Sequence, residues 1–68
     1  MTGFKLAGRV NARLNELELK PIPPQMIYRY FDQKLIPFEI IEGQKQVSED
    51  DAEVWIEKYV AKRIAKSA

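Results

Sequence analysis

Hydrophobic positions recur along the chain with two different periods, and the changes of period divide it into four segments. From about Thr2 to Leu17, Phe4, Ala7, Val10, Leu14 and Leu17 recur at steps of three and four, the spacing of one helix face. Gly8 in this run weakens a helix by up to about 1 kcal/mol, so it reads as a point of close packing. The segment Glu18-Leu19-Lys20-Pro21-Ile22-Pro23-Pro24 follows, with three prolines in its last four residues. Each proline removes a backbone donor and pushes its predecessor toward an extended conformation, so this segment is a connector. Pro24 suits the first turn of a new helix, where its missing N–H is not needed.

The second helix is predicted over about Pro24 to Lys34. At helical spacing Met26, Ile27, Tyr30 and Phe31 fall on one side, while Gln25, Tyr28, Arg29, Asp32 and Gln33 fall on the other. Pro37 stops any continuation. Phe38 to Val47 reads as a short hairpin: a β-rich Phe38-Glu39-Ile40-Ile41-Glu42, a turn at Gly43, and a return through Gln44-Lys45-Gln46-Val47. Ser48 is a good N-cap for the last helix, and Glu49, Asp50 and Asp51 suit its positive N-terminal end. Ala52, Trp55, Ile56, Tyr59, Val60 and Arg63 trace a buried stripe toward Lys66. The order is helix, turn, helix, hairpin, helix: a mainly α fold with a small β-hairpin, in the layout of a winged helix-turn-helix.

Composition narrows what such a scaffold can do. Sixty-eight residues make a single domain spanning 1–68, with roughly 3–10 kcal/mol of stability and no room for a deep water-excluding cavity. There is no Cys and no His, which removes thiol nucleophiles, imidazole bases, disulfides and Cys/His zinc sites. Glu49, Asp50 and Asp51 form the densest acidic run, and acids at a helix start serve capping rather than catalysis or metal binding. The expectation is therefore a non-enzyme with no cofactor and no metal. The longest apolar run is of the Leu35-Ile36-Pro37-Phe38 kind, too short to span a bilayer, and Met1-Thr2-Gly3-Phe4-Lys5 carries no signal-peptide core. An intracellular protein without a membrane partner is expected. The net charge is only +1, so a nucleic-acid partner has to be argued from where the cations lie.

Gln25, Tyr28, Arg29 and Gln33 share the outward side of the second helix. Arg and Gln are suited to base edges, Arg bidentate to guanine and Gln to adenine, and a Tyr hydroxyl can reach a phosphate. The plainer alternative is a solvated face with an Arg29–Asp32 pair, worth a few tenths of a kcal/mol; a turn before and a hairpin after shift the balance toward DNA. Asp32 repels phosphate unless it is paired. Lys45, between Gln44 and Gln46, either contacts phosphate or the minor groove as a wing or simply keeps a sheet edge soluble. Lys5, Arg9 and Arg13 form a basic stripe that could meet phosphate, although the wet face of an amphipathic helix explains it better. Lys58, Lys62 and Lys66 are accounted for by the helix dipole.

The run Ile22-Pro23-Pro24-Gln25-Met26-Ile27-Tyr28-Arg29-Tyr30 resembles the recognition-helix signature of excisionase-type helix-turn-helix proteins. Extended to Leu35-Ile36-Pro37, the window is similar to the MerR-like winged helices, and the closing Ser48 to Trp55 segment fits the same pattern. The resemblance covers roughly Val10 to Val60. It implies a phage excisionase, or recombination directionality factor. Such a protein binds and bends attachment-site DNA cooperatively, self-associates on it, and directs a tyrosine or serine integrase toward excision in the cytoplasm of a bacterial host. It implies Gln25, Tyr28 and Arg29 as the groove-facing set and the Gly43–Gln46 tip as the wing. Together with the readings from the residues themselves, the expected DNA-contacting set is Pro24, Gln25, Tyr28, Arg29, Gln33, Gln44 and Lys45, with Lys5, Arg9, Arg13 and Lys34 as possible phosphate contacts on double-stranded DNA. Lys34 departs from the pattern, standing where MerR-like proteins usually have Gly. A small winged-helix transcriptional regulator shares every such contact, and a protein-interaction module without DNA is the alternative from another class.

Overall fold

Five elements follow one another along residues 1–67, the part of the chain that this computed structural model describes: α1 (Gly3–Glu16), α2 (Pro24–Asp32), β1 (Glu39–Ile41), β2 (Gln44–Gln46) and α3 (Glu49–Ser67). The protein is mainly helical with one two-stranded antiparallel hairpin, as the hydrophobic periods predict. Among the described residues no helix is long and apolar enough to cross a membrane.

Local chemistry sets the element ends. The Thr2 hydroxyl accepts from the Lys5 N–H at 3.3 Å to start α1, and the Ser48 hydroxyl accepts from the Asp51 N–H at 3.2 Å to start α3. Both supply a partner to a helix N–H that has none within the helix. Both α1 and α2 end in the same device. After α1, Leu19 N–H donates to Leu14 C=O at 2.8 Å and Glu18 N–H to Asn15 C=O at 3.1 Å. After α2, Leu35 N–H donates to Tyr30 C=O at 2.9 Å and Lys34 N–H to Phe31 C=O at 3.0 Å. These are Schellman motifs, which need a left-handed residue just past the helix. Glu18 and Lys34 fill that position with φ of 58° each, where glycine would be unstrained.

The hairpin pairs Glu39 with Gln46, Ile40 with Lys45 and Ile41 with Gln44. Its two-residue turn, Glu42-Gly43, has φ of 52° and 78°, the doubly positive signature of a type I′ turn. The chain's first residues extend it: Thr2 forms a bridge with Gln46, and Met1 and Val47 exchange hydrogen bonds, ammonium to C=O at 2.6 Å and N–H to C=O at 2.8 Å.

The core takes Leu6, Ala7, Val10 and Leu14 from α1, Ile27 and Phe31 from α2, and Ala52, Ile56 and Val60 from α3, with Ile22, Ile36 and Val47 from the connections. Three expectations change here. Phe4 lies exposed and Leu6 is buried instead, because Ala7, Val10 and Leu14 belong to two overlapping helical stripes and the core takes the one that holds Leu6; Leu17 is exposed because it caps α1 beyond its last helical residue, Glu16. Gly8 is exposed, with open space around it; the crowded glycine is Gly3, where a Cβ would stand 2.9 Å from the rings of Phe31 and Tyr28. Trp55 and Tyr59 are only half-buried, flanking the core rather than filling it.

The proline-rich connector is held from two sides. The Asn11 amide grips the backbone of Ile22, accepting from its N–H at 2.8 Å and donating to its C=O at 2.9 Å. Arg63 donates to the Lys20 carbonyl at 3.1 Å. A proline-rich segment has few partners of its own, so these bonds position the start of α2.

Candidate nucleic-acid interface

Pro23 precedes α2 with extended backbone, and Pro24 opens the helix; the first bond of the turn runs from Met26 N–H to Pro23 C=O at 3.0 Å. A proline start suits this end, since the first helical N–H groups lack partners in any case. Ile27 and Phe31 anchor the helix in the core. One turn of helix separates them and sets the inner side of α2; on the other side Gln25, Tyr28, Arg29 and Gln33 are all exposed, and Pro24 is half-buried beside them. The Tyr28 ring lies against Gly3 and 6.3 Å from that of Phe31.

Arg29 makes no ion pair among the described residues, so the Arg29–Asp32 pair considered above does not form. Asp32 instead bonds Lys45 of the hairpin, 2.5 Å from carboxylate to ammonium. Lys45 also lies over the Phe38 ring, 5.4 Å from its centre. This exposed pair orients Lys45 toward the C-terminal end of α2 and links the hairpin to it. It also neutralises Asp32, which would otherwise repel phosphate, at the expense of half-occupying Lys45. Lys34, just past the end of α2, and Gln44, at the hairpin tip, are both exposed.

No protein-family model, curated protein or solved structure matches this chain.

The basic stripe of α1 is not brought to this surface as a unit. Arg9 bridges to α3, 3.4 Å from each of Glu49 and Glu53, while Asn11 turns the other way to the connector. The two side chains are about 200° apart around the helix. Lys5 and Arg13 are exposed and form no ion pair among the described residues. Exposed pairs such as Arg9's contribute about 0–1 kcal/mol each, enough to orient a side chain and little more.

Ile40 belongs to this surface and was not among the residues expected there. It stands opposite Lys45 in the ladder and so on the same face of the hairpin, 69% exposed. The signal in the sequence is Ile40-Ile41: two consecutive strand residues face opposite ways, and a two-stranded hairpin cannot bury both.

Proposed function

We propose that this chain is a DNA-binding accessory factor of the excisionase type, a winged helix-turn-helix in which α2 is the recognition helix and the β1–β2 hairpin the wing. The observation that carries the reading is the unpaired, exposed row Gln25, Tyr28, Arg29 and Gln33, with a hairpin bonded alongside it through Asp32 and Lys45. Its donors match the base edges of the major groove. Ile40 and Lys45 project together from the hairpin, an apolar and a cationic contact of the sort that minor-groove wings use. The chain performs no strand chemistry; it binds attachment-site duplex, bends it, associates with further copies and recruits an integrase in a bacterial cytoplasm. A module this small covers about 600–1,000 Å² of DNA, so useful affinity calls for several copies on adjacent sites.

The test is an electrophoretic titration against attachment-site duplex beside a scrambled duplex of equal length. Arg29→Ala is expected to lose roughly 1–3 kcal/mol of binding and to relax sequence preference, whereas Lys45→Ala weakens all duplexes alike and lowers the salt slope by about one. An unchanged titration for Arg29→Ala, with the fold intact by circular dichroism, removes α2 as the reading element.

A second reading, a protein-binding module without DNA, draws on a specific observation: Arg9 and Lys45, two of the expected phosphate contacts, are already paired with carboxylates. It requires that duplex affinity be absent or insensitive to salt, the reverse of what phosphate neutralisation produces.

A further inference from the structure

The side of α2 away from its polar row opens on a groove that the DNA reading leaves unused. Met26 and Tyr30 of α2, Leu35 just beyond it, and Trp55 and Tyr59 of α3 form its wall, and its volume is about 890 Å³. Trp55 and Tyr59 stack at 5.0 Å and 19°, and Tyr30 tilts against both at 5.7 and 6.2 Å. The three rings are half-buried, and Leu35 at the rim is 58% exposed. Rigid rings of this kind offer contact area at low entropic cost.

The rim has one sign. Among the described residues, Lys58, Lys62, Arg63 and Lys66 line the groove and no carboxylate does. The acids of α3 are confined to Glu49, Asp50, Asp51, Glu53 and Glu57, so from Lys58 onward the helix carries only positive charge. Helix-dipole complementarity explains cations in the last turn, but Lys58 stands near the middle of α3, where that field has faded.

We propose that this groove docks an acidic peptide segment of a partner protein, with aliphatic or aromatic anchors seated on Tyr30, Trp55 and Tyr59 and carboxylates meeting Lys58, Lys62 and Lys66. A stripe of cations at i, i+4 and i+8 beside an apolar trough is complementary to an amphipathic segment with acids along one edge. Single-stranded nucleic acid fits less well, because the mutual stacking of Trp55 and Tyr59 takes up a ring face of each that bases would need. The proposal stands independently of DNA binding by α2.

Trp55 is the only tryptophan, so its emission reports occupancy directly. The full chain is titrated with a short amphipathic peptide of Glu, Leu and Phe, with a twin in which every Glu is Lys, and with a single-stranded oligothymidylate. The acidic peptide is expected to shift Trp55 emission and to bind at least about tenfold more tightly than its twin, with affinity falling as salt rises. Lys58→Glu/Lys62→Glu exchanges the preference between the peptides, and Leu35→Ser, at an exposed site, weakens the acidic peptide without changing the circular dichroism spectrum. Equal affinity for the two peptides, an unshifted emission, or tighter binding of the oligothymidylate overturns the proposal. So does sedimentation showing a dimer that Lys58→Glu/Lys62→Glu dissolves, since the groove would then be covered by a second copy.

Discussion

Two faces of the same nine-residue helix differ in what built them. The outer face carries Gln25, Tyr28 and Arg29 of α2 and Gln33 that caps it; the groove face carries only Met26 and Tyr30 and becomes a site when Trp55, Tyr59 and the α3 lysines arrive opposite. A single residue step, about 100° around the axis, separates hydrogen-bonding chemistry from ring chemistry. The outer face is therefore a property of one periodic segment, while the groove is a property of how two segments pack. Both depend on the same support, Ile27 and Phe31 in the core.

That shared dependence gives the largest expected effect. Phe31→Ala removes the ring that touches Gly3, Tyr28 and Phe38, and a loss of about 3–5 kcal/mol in urea unfolding is expected, which is most of what a chain of this size has. Both faces then fail together; retention of either one alone would show that α2 is not their common support. Asn11→Ala cuts the two bonds to Ile22 that position the start of α2, with an expected cost of about 1–3 kcal/mol. Its effect on the duplex binding proposed for Pro24 and Gln25 should exceed its effect on the groove, whose walls lie further along the chain.

Lys34→Gly separates the faces from the opposite direction. Glycine relieves the left-handed strain at the end of α2, so stability is expected to rise by up to about 1 kcal/mol. If Lys34 touches phosphate, the same variant loses duplex affinity and about one unit of salt slope while it gains stability; a parallel rise in both removes Lys34 from the DNA surface. The smallest effect is a titration on the groove side. Burial, and next the neighbouring Tyr59, raise the Tyr30 hydroxyl above its ordinary value of 10.0, opposed by Arg63 and Arg29. The unfolded chain releases that proton first, so the neutral hydroxyl's contribution is whole below pH 10 and is lost as the pH rises through the folded-state value. Tyr30→Phe removes that proton linkage, so the alkaline limb of a stability-against-pH curve should flatten.

Gln25, Tyr28, Arg29 and Gln33 were legible as the wet side of α2 because that segment is short, strongly periodic and bounded by prolines. Their exposure followed from spacing alone. The pairing of Lys45 with Asp32 was not legible, since thirteen positions and a turn separate them and only the closed hairpin brings them together. Gly3 and Gly8 show the same limit. Both sit in α1, and nothing in the helical period says that α2 crosses at Gly3 and leaves Gly8 open. Asn11 carried no signal either, because a polar residue at the edge of an apolar stripe is ordinary until a connector lies against it.

What this sequence settled by itself was local: where each helix and strand runs, which side of α2 is wet, and the exclusion of thiol and imidazole chemistry. Those depend on period, proline, capping and composition, which act over a few residues. Which of two overlapping stripes α1 buries, the joining of hairpin to helix, and the cation-rimmed aromatic groove were decided only when α1, α2 and α3 packed. They are set by contacts between residues far apart in the chain, and periodicity along one segment holds no information about the neighbour that segment will meet.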